Sequence, residues 1–380
     1  MIDSPSTFCR KGILRISLRS MLLLILLIAA LLAWLCWALK AARQQRVAAE
    51  ALEKVGCNVE RERGTGYPNI IERLGSLCGE SGLGNVNMIV AASSSPLTDD
   101  DLANVESMTH VIYLRLSGMR ITNAGMRYLR RLSRLNMLYL DDTQIGDDGL
   151  GHLEGKSHLT LLDLSRTRVT DEGMRHLAGL RQLERLFLVG DKVTDAGLAH
   201  LERLTQLTTL FLSGTQVTDA GMLHLRNATQ MEFMLLDGTR VADSGLRYLA
   251  SMNRLWTLDL DETLVGDAGL AYLTHLKNMK SMLLSKTRVT DAGLSSIAQM
   301  PLLESLYLDD TYVTDAGLRE FKDMTKLTLL SLERTSVTDA GLSQLHGLRQ
   351  LTSLDLRGTA VTDAGVKELR RALPNCYICR

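Results

Sequence analysis

A carboxylate column recurs every 24 residues along this 380-residue chain, at Asp99, Asp147, Asp171, Asp195, Asp219, Asp243, Asp267, Asp291, Asp315, Asp339 and Asp363, with Asn123 standing in once. Carboxylates bind hard cations and move protons, so spaced acids invite a metal or acid–base reading. Recurrence at every level argues for a structural task instead, because a reactive centre needs one convergent set of groups. Three smaller constellations remain. His152, His176, His200 and His224 share one column, continued by Tyr128, Tyr248 and Tyr272. Zinc would need their nitrogens within about 2 Å of one ion, and successive levels are too far apart, so half-buried packing rings are expected. Asp237, Asp259, Asp261 and Glu262 offer oxygens to Ca²⁺, yet no loop wraps an ion there. Cys376-x-x-Cys379 has no second Cys or His pair nearby and reads as a buried thiol plus a terminal one. No nucleophile, phosphate-binding loop or metalloenzyme motif is present, so no enzyme activity and no cofactor are expected.

The elements that position these columns follow from the repeat itself. Each unit carries a phrase close to V-T-D-A-G-L and a strand phrase such as Leu183-x-x-Leu186-x-Leu188, Leu207-x-x-Leu210-x-Leu212 or Leu351-x-x-Leu354-x-Leu356. L-x-x-L-x-L at a period of 20 to 29 residues marks leucine-rich repeats, each a short strand and a helical or 3₁₀ return. The expected fold is an α/β solenoid of about twelve repeats over residues 87–380. Its parallel strands line the concave face of a horseshoe and short helices the convex face. Apolar residues make up 46% of the chain and aromatics 4%, which suits a core of stacked Leu, Val and Ala. In most units a Thr (Thr143, Thr167, Thr215 through Thr359) stands where many such repeats carry Asn, its hydroxyl suited to turn backbone groups. The Thr-Asp pair is expected to cap the return segment, and the Gly after it to let the next layer approach.

Residues 21–39 carry no charge and as a helix span about 28 Å, enough for a bilayer core. Residues 1–20 form a basic tail with Arg10, Lys11, Arg15 and Arg19, and the span reads as an uncleaved transmembrane anchor, with a cleaved signal peptide as the rival. The charge bias slightly favours an inside N-terminus, which puts the repeats on the extracytoplasmic side. Residues 40–86 are expected to hold a juxtamembrane helix with Val47, Ala51, Leu52 and Val55 on one stripe, stopped at Gly56. A strand over 57–63, a turn over 64–69 and a helix over 70–77 would then cap the array. Formal net charge is zero, without the basic excess of nucleic-acid binders.

Partner binding is expected on the concave face. Its outward column reads Arg115, Tyr139, Asp163, Phe187, Phe211, Leu235, Asp259, Leu283, Tyr307, Ser331 and Asp355, with Phe233 beside the aromatic rungs. Tyr139, Phe187, Phe211, Phe233, Leu235, Asp259, Asp261 and Tyr307 are the candidate contact residues for a protein or peptide ligand. Acids crowd the turn-side edge (Asp141, Asp142, Asp237, Asp309, Asp310, Glu333), while Arg120, Arg168, Lys192, Arg240 and Arg288 stand on the next column. Such banding orients a partner or merely solvates the rim.

The V-T-D-A-G-L-x-H-L repeat (193–201 and 217–225), the stretch Ala48-Ala49-Glu50-Ala51-Leu52-Glu53-Lys54-Val55-Gly56 and the ending Ala372-Leu373-Pro374-Asn375-Cys376 resemble membrane-anchored leucine-rich repeat proteins of planctomycete-type bacteria. That resemblance implies fold and anchoring. The repeat is also similar to the Cys-containing leucine-rich repeats of F-box proteins, which present substrates to ubiquitin ligases; without an F-box-like segment ahead of the array, only a cytosol-facing scaffold or adaptor remains as an alternative. A Ca²⁺- or glycan-binding surface protein is the other.

Overall fold

The computed structural model of the protein describes residues 18–61 and 85–380. Two units are distinguished: residues 1–47 with 62–85, and residues 48–61 with 86–380. The described part of the first is helical. Helix α1 (Leu18–Lys54) carries the uncharged stretch and runs unbroken past Lys40, so the apolar span and the juxtamembrane segment are one helix. Its apolar part is long enough to cross a membrane and is not buried by protein. The basic residues Arg10, Lys11 and Arg15, the expected turn over 64–69 and the expected helix over 70–77 lie outside the described residues.

The second unit is the repeat array, and it begins with the last turns of α1. Ala48, Ala49 and Leu52 are buried there, whereas Val47 is 61% exposed. The expected stripe was thus turned too far round the helix, because two alanines rather than a Val set the close approach. Gly56 ends the segment with φ of +87°, the left-handed backbone that favours glycine.

Fourteen strands form one sheet in sequence order among the described residues. They are β1 (Cys57–Arg61), β2 (Val86–Ala91), β3 (Tyr113–Arg115), β4 (Met137–Tyr139), β5 (Leu161–Asp163), β6 (Arg185–Phe187), β7 (Thr209–Phe211), β8 (Phe233–Leu235), β9 (Thr257–Asp259), β10 (Ser281–Leu283), β11 (Ser305–Tyr307), β12 (Leu329–Ser331), β13 (Ser353–Asp355) and β14 (Tyr377–Cys379). From β2 onward neighbours are parallel, but β1 pairs antiparallel with β2 (Val59 opposite Ile89). β1 thereby takes the edge position that β2 would otherwise hold. At the far end Ile378 pairs with Leu354. Cys376, two residues earlier, is buried just ahead of the strand.

Side-chain alternation explains the layering. In each three-residue strand the middle residue points into the core and its two neighbours point out. Leu183, Leu186, Leu188, Val193 and Leu198 are fully buried, and the equivalent residues of other repeats extend the same ladder. Short helical turns such as Asp195–Leu198, continued by 3₁₀ turns such as Ala199–Leu201, return the chain on the side opposite the strands.

The repeated Asp is a tie between layers. Asp195 Oδ1 accepts from Thr218 N at 2.7 Å and its Oδ2 from Thr218 Oγ1 at 2.6 Å, one repeat ahead. The same pair of bonds joins Asp99 to Thr122, Asp171 to Thr194, Asp291 to Thr314 and Asp339 to Thr362. Where Gly or Ala replaces Thr, the backbone bond survives, as from Gly146 N to Asn123 Oδ1 at 2.7 Å. The Asp therefore reaches forward rather than capping its own helix; in several units that cap is the Thr hydroxyl, as when Thr218 Oγ1 accepts from Ala220 N. The Gly column has its cause in the same tie. A Cβ on Gly245 would stand 2.6 Å from Asp219 Oδ1, so the carboxylate occupies the space a side chain would need.

Candidate interaction surface on the strand face

The outward column forms from strand register alone. Asp163 lies opposite Phe187, Phe187 opposite Phe211, Phe211 opposite Leu235 and Leu235 opposite Asp259. Three apolar rungs are thereby bracketed by two carboxylates. Phe187 and Phe211 meet edge to face with ring centroids 4.8 Å apart, and both rings, like Leu235, are half-buried. Tyr139 lies one rung before Asp163, against Tyr113 at 5.4 Å and under the Arg115 guanidinium at 5.8 Å. Burial, followed by the neighbouring Tyr113, raises its phenol above the ordinary range. Tyr307 stands beyond Leu283, two rungs after Asp259.

Phe233 sits on the other outward column of its strand, between Thr209 and Thr257. It packs on Trp256 with centroids 3.9 Å apart rather than against the Phe187 row. Trp256, just ahead of β9, lines a groove of about 470 Å³ with Glu232, Arg254, Asn278, Lys280 and Leu302. Sequence reading passed over this Trp because it stands before the strand, outside the outward column.

The acids divide into paired and unpaired groups. Asp142 pairs with Arg166 at 3.1 Å, Glu262 with Lys286 at 2.6 Å and Asp310 with Arg334 at 2.6 Å, each one repeat apart. Asp261 Oδ1 accepts from Ser285 N at 2.5 Å, Ser213 donates to Asp237, and Ser331 donates to Asp309. Asp237, Asp259, Asp261 and Glu262 thus each have one oxygen engaged by a protein donor. No group of three His, Cys, Asp or Glu has metal-binding geometry among the described residues. Asp163 Oδ1 accepts from Ser165 N at 3.0 Å and Asp259 Oδ1 from Asp261 N at 2.9 Å. Neither forms an ion pair among the described residues, whereas Asp355 on the same column is held by Arg357 at 2.6 Å. Burial pushes the Asp259 carboxyl up to about 7, with Asp261 and Asp237 adding to the rise, and pushes Asp163 and Asp261 upward as well.

Asp191 is the singular residue of the array. It occupies the column where most other repeats place Thr, whose hydroxyl commonly donates to the Leu carbonyl three residues back, as from Thr215 Oγ1 to Leu212 O at 2.7 Å. An ionised carboxylate has no proton to donate. Asp191 is 3% exposed; its Oδ1 accepts from Thr167 N at 2.8 Å and its Oδ2 has no hydrogen-bond partner. Burial raises its carboxyl to about 7. The break in the Thr column marks it in the sequence, and only alignment of the repeats against one another exposes it.

The His column holds separate contacts. His152 Nδ1 lies 3.1 Å from an Arg130 guanidinium nitrogen, His176 Nδ1 lies 2.6 Å from Glu154 Oε1, and His224 Nδ1 is buried without a partner. Burial, then Arg130, lowers the His152 pKa. The tail thiol Cys376 is buried and its pKa rises to about 11, while Cys379 is half-buried.

Residues 155–178 and 301–361 match leucine rich repeat families, and the fold is that of a leucine-rich repeat solenoid. Among solved structures, an internalin of Listeria monocytogenes is 20% identical with a TM-score of 0.62, over 80% of this chain and 92% of that one. A leucine-rich repeat protein of Leptospira interrogans is 17% identical with a TM-score of 0.52, over 73% and 80%. The plant peptide hormone receptor RGFR1, solved in complex with RGF2, is 16% identical with a TM-score of 0.50, over 77% and 54%. No curated protein matches the sequence.

Proposed function

We propose that this chain is a membrane-anchored leucine-rich repeat protein that binds a protein or peptide along its strand face and performs no catalysis of its own. The observation that carries this reading is the unbroken row Phe187, Phe211 and Leu235, apolar side chains left partly open on a rigid sheet. Rigid aromatic rungs bind at low entropic cost and act as anchors. RGFR1, a plant peptide hormone receptor of similar fold, was solved in complex with RGF2, which supports the reading for the fold without naming a ligand here. In this reading the uncharged part of α1 is the anchor, and the slight excess of basic residues ahead of it favours the repeats on the extracytoplasmic side.

Proximity labelling from the full chain in its native membrane tests the binding reading, compared between the native protein and Phe187→Ala with Phe211→Ala. Loss of the labelled partner with an unchanged circular dichroism melt supports it; equal labelling, or a collapsed melt, makes these rings structural. Protease accessibility on intact and permeabilised cells tests the side. Protection of the repeats in permeable-outer-envelope cells would favour a cytosol-facing scaffold instead.

A further inference from the structure

The Asp163 and Asp259 carboxylates lie on one column, separated by the three apolar rungs Phe187, Phe211 and Leu235, and we propose that this five-rung strip binds an extended peptide with an apolar centre and a cationic side chain at each end. The inference rests on the strand-face reading and names the chemistry of its partner. Asp142 and Asp310 hold Arg166 and Arg334, and Asp355 holds Arg357, but among the described residues Asp163 and Asp259 form no ion pair. Each has one oxygen fixed by a backbone amide two residues on, from Ser165 and Asp261, so the side chain is already ordered. The cation whose charge acts on Asp163 is Arg166, which is committed to Asp142 at 3.1 Å and Asp141 at 3.9 Å. Around Asp259 the charged neighbours are Asp261 and Asp237, both acidic. Two half-buried carboxylates without counter-ions therefore face the same side as an apolar strip, and a ligand ammonium or guanidinium would supply what the fold does not.

The spacing sets the ligand. Strands lie about 4.8 Å apart, so four steps from Asp163 to Asp259 cover roughly 19 Å. An extended chain advances about 3.3 Å per residue and shows every second side chain to one face. Cationic residues six positions apart then reach both acids, and the two intervening inward side chains rest on the Phe–Phe–Leu strip. Burial has already raised the Asp259 carboxyl to about 7, and a bound cation would draw it back down, which couples ligand and proton at that rung.

The test uses the full chain in neutral detergent and a fluorescent heptapeptide, blocked at both termini, with lysine at its ends, leucine at its third and fifth positions and serine elsewhere. Fluorescence anisotropy compares it with peptides carrying glutamate ends or serine in place of leucine. The lysine-ended peptide is expected to bind at least tenfold more tightly than the glutamate-ended one. Asp163→Asn with Asp259→Asn, which keeps the amide-accepting oxygen, should erase that preference and most of its salt dependence. Equal binding of lysine- and glutamate-ended peptides, unaltered binding to the Asn variant, or no binding of any peptide each overturns the proposal. The strand-face reading fails separately: equal binding of both end types that is lost together in Phe187→Ala with Phe211→Ala would sink the flanking charges and leave the face standing.

Discussion

Lys286 Nζ lies 2.6 Å from Glu262 Oε1 one repeat behind it, and both residues hold the left-handed backbone, with φ of 56° each. The same position is glycine in other units, as at Gly214 and Gly238. Wherever a side chain replaces that glycine, it is a charge that stitches to the adjacent level: Asp142 to Arg166, Glu262 to Lys286, Asp310 to Arg334. Left-handed backbone disfavours a Cβ, most of all a branched one. Lys286→Gly should accordingly melt no lower than the native protein despite the lost ion pair, because a surface pair contributes little. Lys286→Val should melt clearly lower. Thermal melts of the two variants check this; a Gly variant that falls as far as the Val variant would make the ion pair, not the backbone, decisive.

Asp191 is expected to destabilise the fold at neutral pH. Its folded pKa, about 7, exceeds the unfolded value near 3.8, so between those values the native state holds a proton that the unfolded chain has released. Its contribution is best below about pH 4 and is lost as pH rises to 7. Asp191→Thr, restoring the hydroxyl of the column, should raise stability by roughly 1–3 kcal/mol at pH 8 and by little at pH 4. Urea titrations at both pH values measure it. A residual slope of the same sign should remain, since Asp259 is shifted the same way.

Gly221 and Asp195 should be coupled. A Cβ at Gly221 would overlap Asp195 Oδ1. Gly221→Ala should cost roughly 1–3 kcal/mol, and Asp195→Ala a similar amount through the two lost bonds to Thr218. In the double variant the Ala fills the space the carboxylate left, so the losses should fall short of their sum by about 1 kcal/mol or more. Strict additivity in a denaturant double-mutant cycle would reject the shared-space explanation of the Gly column.

His152 is expected to oppose the acid trend over a narrow range. Its folded pKa lies below the unfolded reference near 6.5, so its stabilising share is complete above that value and declines as pH falls through it. His152→Tyr, the residue its column carries at Tyr128, should flatten that decline between about pH 7 and 5. Melts of both proteins across the range decide it, and a zinc-dependent rise in the native melting temperature would revive the metal reading.

Periodicity made the array, its strands and the outward column legible, because a strict 24-residue step leaves the register no freedom. The role of the Asp was misdirected to its own helix, since sequence adjacency suggests local capping whereas the acceptor's partner sits 23 residues on, as Asp195 does from Thr218. Val47 was misplaced because a hydrophobic stripe is wide and two alanines set its centre. Trp256 was missed because its contact with Phe233 crosses repeats and columns at once. Which acids are already neutralised, Asp310 but not Asp259, depends on side-chain reach between levels and on φ at the turn, neither of which a residue count reveals.

The Asp-to-Thr tie gives the molecule a property of its own: it can change length. Every junction from Asp99 to Asp339 uses a donor from one unit and a carboxylate or amide oxygen from the unit behind it, with strand bonds on the opposite side. A unit copied whole brings both halves of its fastener and meets neighbours that carry the complement. A single residue gained or lost inside a unit would instead part the two fasteners from each other. Growth and shortening in steps of one repeat are therefore open to this chain by duplication and deletion, and each added step moves the ends of the strand face apart by about 5 Å while leaving existing rungs in place.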